Sequence, residues 1–244
     1  MDHEGRVDAV ERELGALIEA VAAGSLDAPV PTCPDFTVDD LAAHVGRFSA
    51  FWTHVLCEGS GRSKTPFTDA PGDEGRVGWL TALAGHLVAE LRATPADTVT
   101  WTWYEPDQSA GFVARRCANE LAIHRVDTQV ARGAVTPVEA DLAVDGIEEV
   151  FVLIEGRGDR VGATPGSGQT LHLHGTDHGE AEWMITLGAD GVHVERTHGK
   201  GDLALKGPVS DLEMLLYQRP TVGDVQRFGD DAVLDAFHRQ FTFD

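Results

Sequence analysis

Arg116-Cys117-Ala118-Asn119-Glu120-Leu121-Ala122-Ile123-His124-Arg125-Val126-Asp127 is the stretch on which the reading of this chain turns. Read as a helix, it sets Arg116, Glu120 and His124 four residues apart on one stripe, with Asp127 close by. A basic group, an imidazole and two carboxylates are costly on a helix that must be buried. Charges leave water only when paired or bound to a metal. The stripe therefore reads as half of a metal site.

Working outward, the rest of the first half supplies a scaffold for it. Apolar residues at Val7, Val10, Leu14, Leu17, Ile18 and Val21 predict a helix that stops at Gly24. Pro29, Pro31 and Pro34 then enforce an extended connection. Thr37 is the expected N-cap of a second helix running to about Leu56, with Asp39 and Asp40 in its first turn. Its apolar stripe is Val38, Leu41, Val45, Phe48, Trp52 and Val55, and His44 shares that face. Residues 58–73 read as a loop. A third helix carries Trp79, Leu80, Leu83, Leu87 and Leu91 and ends before Pro95. Val99 to Tyr104 alternates like a strand but has no evident partner, so it reads as an extended connection capping the helices with its aromatics. The fourth helix, from about Ser109 to Ala131, contains the opening stretch. Four such helices predict a four-helix bundle, a fold that builds metal sites from inward side chains.

A bundle brings the second and fourth helices together, so His44 joins Glu120 and His124. Two imidazoles and a carboxylate match the open, three-ligand site of a catalytic metal. The competing reading is a core histidine and a solvated Glu–His pair, since a chain with 40 acids and 11 histidines makes such pairs by chance. Asp127 either orients a ligand imidazole or pairs with Arg125 at the surface. Arg116 either holds an anionic substrate or forms a structural ion pair. Cys117 reads as core.

After Pro137 a fifth helix (about 138–155) leads into a glycine-rich loop over 156–168. The period then changes to two, in Thr170–His174, Ala181–Leu187, Val192–Val194 and Asp202–Lys206, which predicts strands. Helices from about Ser210 to Gln218 and Asp230 to Phe241 complete a small α+β domain. The division expected is 1–137 for the bundle and 138–244 for the second domain, giving an α+β chain overall. Ala163 to Thr170 imitates a phosphate loop, but Gln169 stands where the lysine should be and a strand follows, not a helix. His172 and His174 share a strand face, and the intervening Leu171 and Leu173 predict that this face is solvated.

Composition bounds the function. The net charge of −21 excludes the basic footprint of a nucleic-acid binder and docking to anionic membranes. Three widely spaced cysteines, Cys33, Cys57 and Cys117, make neither a disulfide framework nor a CxxC zinc pattern, so a cytoplasmic setting is expected. No signal peptide or membrane span is expected either.

With these residues in hand, the chain resembles the mycothiol-dependent maleylpyruvate isomerase family, within the wider DinB-like bundle group. Pro31 to His44 and Gly111 to Asp127 carry the resemblance. It implies metal ligands at His44, Glu120 and His124, with zinc the expected divalent ion and mycothiol the expected thiol cofactor. It also implies a sterol-carrier-like C-terminal domain with a functional arginine, matched here by Arg219, although Gln218 replaces the usual glycine before it. The implied enzyme activates a thiolate that adds to an electrophilic small molecule, with Arg116 and Arg219 as catalytic candidates holding a carboxylate or developing enolate. A mycothiol S-transferase acting on electrophiles is the alternative reaction. A non-catalytic lipid- or small-molecule-binding protein is the alternative class. A monomer or weak homodimer is expected, with no nucleic-acid or membrane partner.

Overall fold

The computed structural model describes residues 1–61, 71–72, 75–156 and 166–241, with 155 and 156 by backbone only. Parts of the expected loops at 58–73 and 156–168, and the first residues of the phosphate-loop imitation, lie outside these. The chain forms two compact units, Met1–Thr136 and Pro137–Asp244. It is α+β: a helical domain followed by a sheet domain, with seven helices and five strands among the described residues.

In the first unit, α1 (His3–Ala22), α2 (Val38–Glu58), α3 (Arg76–Ala93) and α4 (Ala110–Arg132) form the bundle. Helices α1 and α2 each pack against both α3 and α4. Local chemistry sets the ends. Asp2 accepts a hydrogen bond from the Gly5 amide at 2.9 Å. At the start of α2, the Asp40 amide donates to Thr37 Oγ1 (3.2 Å) and the Thr37 amide to Asp40 Oδ2 (3.0 Å), a reciprocal cap. Ser109 caps α4, and Gly133 ends it at φ 68°, where a β-carbon would be strained. Helices α2 and α3 approach closely because Gly46 has no side chain: a β-carbon there would lie 2.1 Å from the Trp79 ring.

Helix α4 is buried nearly all round, including Arg116, Asn119, Arg125, Asp127 and Thr128. Burial on that scale requires partners. Arg125 finds Glu13 of α1 at 2.6 Å, both side chains being almost wholly enclosed. The Val99–Tyr104 segment does pair after all. Val99 bridges to Ser109, and the Thr100 amide donates to the Gln108 carbonyl. Trp101 meets Phe51 and Trp52 at ring separations of 6.0 and 6.3 Å, so the expected aromatic cover is present.

In the second unit, α5 (Ala140–Gly156) precedes β1 (Gln169–Gly175), β2 (Glu182–Leu187), β3 (Val192–Glu195), β4 (Leu203–Gly207), α6 (Val209–Leu216), β5 (Gln226–Gly229) and α7 (Ala232–Gln240). The sheet order is β3-β2-β1-β4-β5, with only the β1–β4 pair parallel. Leu171, Leu173, Trp183, Ile185, Leu187, Leu203 and Leu205 bury one face, and α6 packs on β1 and β4. Gln169 opens a strand, as the rejection of a phosphate loop required. The expectation of a solvated His172 is corrected: it is 4% exposed, because the polar side of β1 carries its own cover.

Candidate metal centre

His44 reaches the site from α2, Glu120 and His124 from α4. The His44 Nε2 and His124 Nε2 atoms lie 3.4 and 3.2 Å from the same oxygen, Glu120 Oε1. The two rings stand edge to face at 4.9 Å. One ligand atom from each residue falls within 4.8 Å of the others. The i,i+4 spacing on α4 places Glu120 and His124 one turn apart, and the packing of α2 on α4 brings in the third donor.

The surroundings favour ligation. His124 Nδ1 is 3.1 Å from Asp127 Oδ2, and Asp127 is fully buried. A carboxylate there holds the proton on Nδ1, which leaves a lone pair on Nε2 facing Glu120. The same Asp127 oxygen accepts from the Cys33 thiol at 3.6 Å. Glu120 directs its other oxygen, Oε2, to the guanidinium of Arg116. Burial pushes the His44 imidazole down to about 4, assisted by the neighbouring His124, Arg47 and Arg116. At neutral pH His44 is therefore an unprotonated donor. Its side chain remains 36% exposed, against 14% for His124, so the cluster opens on the His44 side. Phe36 and Phe48 lie 6.2 and 6.5 Å from the His44 ring on that side.

Two nitrogens and one carboxylate oxygen are a donor set that zinc and other divalent transition ions accept. The cluster thus fits a metal by chemistry and by convergence.

Of the residues expected from sequence, His44, Glu120, His124, Arg116 and Asp127 come together. Asp127 is not a surface partner of Arg125, which belongs to Glu13. Arg219 lies in the second unit, just after α6, where its Nη1 donates to the Tyr217 carbonyl at 2.7 Å. Sequence reading missed three neighbours of the site: Cys33, Phe36 and Arg47. Arg47 was findable, being three residues after His44 on a predicted helix. Cys33 was not, because its partner is 94 residues away.

Comparisons with known proteins bear on the family and the fold. The family model described as the mycothiol maleylpyruvate isomerase N-terminal domain matches residues 7–129, just over half of the chain. No curated protein matches the chain in sequence. Among solved structures, the fold is similar to a mycothiol-dependent maleylpyruvate isomerase and to a histidine-to-alanine mutant of that enzyme. In each case the identity is 15%, the TM-score 0.56, and 93% of either chain is covered. At that identity the likeness extends to the fold.

Proposed function

The chain belongs to the mycothiol maleylpyruvate isomerase N-terminal domain family, and from that premise we propose that it is a metal- and mycothiol-dependent isomerase of small electrophilic substrates. The observation that carries the reading is the convergence of His44 and His124 on one oxygen of Glu120, with buried Asp127 behind His124.

His44, Glu120 and His124 would hold the ion, and zinc is the ion we assign. Bound there, a divalent cation supplies the Lewis acidity that keeps a thiol cofactor deprotonated at neutral pH, the form that adds to an activated double bond. The protein's own residues do the rest. Asp127 keeps the proton of His124 on Nδ1, so that Nε2 stays a donor. Arg116 fixes the rotamer of Glu120 through Oε2 and adds positive charge beside it. Together with Arg47 it gives the mouth of the site a field that favours an anionic substrate in an otherwise acidic protein. Phe36 and Phe48 narrow access for water around His44.

Arg219 is assigned no step, although the family resemblance gives such an arginine a role toward substrate. Three free cysteines, Cys33, Cys57 and Cys117, accord with a reducing compartment such as the cytoplasm. No helix among the described residues is long and apolar enough to cross a membrane.

The test is an assay of maleylpyruvate isomerisation with mycothiol, before and after dialysis against a chelator. The proposal expects turnover that needs both thiol and metal, with the thiol recovered unchanged. A stable thiol–substrate conjugate would instead assign the site to S-transfer.

A further inference from the structure

We propose that the second unit carries a transition-metal site of its own, built from His172, Glu182 and His198 with His174 beside them. One ligand atom from each of His172, Glu182 and His198 lies within 4.8 Å of the other two. The site is on the sheet, at the face opposite the Leu171 and Leu173 side chains.

The register explains His172, His174 and Glu182. His172 and His174 alternate on β1, and His174 is directly opposite Glu182 on β2. His198 comes from the connection between β3 and β4, which folds back over the sheet. That connection is pinned at both ends. Arg196 reaches Glu148 at 2.7 Å and lies over the Trp183 ring at 4.5 Å. Asp202 accepts from the Thr170 amide at 2.8 Å and returns its own amide to Thr170 Oγ1 at 2.9 Å. Between these anchors Gly199 passes so close to Met184 that a β-carbon would come within 2.8 Å of its methyl group. His198 is thereby held over β1 and β2.

The hydrogen-bond arithmetic points to a cation. His172 Nε2, His174 Nδ1 and His198 Nδ1 lie 3.1, 3.1 and 2.5 Å from one atom, Glu182 Oε1. A carboxylate oxygen offers about two lone-pair sites, so three ring nitrogens exceed what it accepts well. With the proton on the far nitrogen of each ring, the same atoms present lone pairs instead. Ligands of a tetrahedral zinc ion stand about 3.3 Å apart, from bond lengths near 2.0–2.1 Å. The separations of His172 Nε2 and His174 Nδ1 from Oε1, 3.1 Å each, are already near that value. The charge of Arg196 is drawn to Glu148 rather than toward the cluster. An imidazole-rich set with one carboxylate selects zinc, copper or nickel over calcium or magnesium.

The site is separable from the one in the bundle by mutation. The experiment uses the full chain carrying His44→Ala, Glu120→Ala and His124→Ala, dialysed against zinc and analysed for bound metal. The expectation is one retained equivalent, and a visible ligand-field band when cobalt(II) replaces zinc. Adding His198→Ala or Glu182→Gln should weaken that binding on the order of ten-fold or more, with the circular dichroism spectrum unchanged. His198 suits the purpose because its side chain is 76% exposed and the fold does not depend on it. No zinc on the triple variant, or zinc affinity indifferent to both added substitutions, would overturn the assignment. Neither result bears on the bundle site, whose loss is read from the wild type against the triple variant.

Discussion

His124 and Asp127 are joined through the imidazole Nδ1 and a carboxylate oxygen at 3.1 Å, and Asp127 has no exposed surface. A fully buried carboxylate one turn behind an imidazole fixes both ring orientation and tautomer. Asp127→Asn keeps the shape but removes the charge. The expected result is metal affinity lower by roughly 10- to 100-fold, measured by competition with a chromophoric chelator, in a protein that remains folded.

Arg116 is a positioning residue if its work is to hold Glu120, and a substrate-binding one if it holds an anion. The ion pair to Glu120 Oε2 favours the first. Arg116→Gln is then expected to lower kcat and metal affinity together. A rise in KM alone, with metal binding intact, would place the guanidinium on the substrate.

In metal-stripped protein His44 should titrate near 4, well below the ordinary histidine value of 6.5, chiefly because burial disfavours the imidazolium. The unfolded chain takes up this proton below about pH 6.5 and the folded protein only near 4. Stability of the metal-free form therefore falls as pH drops through that window and is constant above it. An NMR titration of the His44 ring checks the value. Denaturation at pH 7 and pH 5, compared with His44→Gln, checks the sign.

The enclosed pair of Glu13 and Arg125 supports the helix that carries two of the three ligands. Glu13→Ala removes the carboxylate that offsets a buried guanidinium, which keeps its neutral partners at Gln129 and Thr136. The expected cost is about 3–5 kcal/mol, read as a lower denaturation midpoint.

Much of this was legible beforehand, for physical reasons. The four bundle helices show a 3.6-residue period with a recognisable cap at Thr37, and Glu120 and His124 share a face by spacing alone. The short strand Gln226–Gly229 was not legible: it is exposed along its whole length and has no apolar alternation to betray it. His172 was misjudged because alternation predicts which residues leave the apolar face, not what covers them afterwards. Its cover is Glu182 and the His198 segment, brought in by tertiary folding. Cys33 reached Asp127 the same way, through a contact that no local pattern encodes.

The most direct test of the bundle centre is elemental analysis of the native protein, purified without chelator, against His44→Ala, Glu120→Ala and His124→Ala. Each variant, folded by circular dichroism, is expected to lose one equivalent of divalent metal relative to the wild type, together with mycothiol-dependent turnover. Variants that carry the wild-type metal content would contradict the assignment of these three residues.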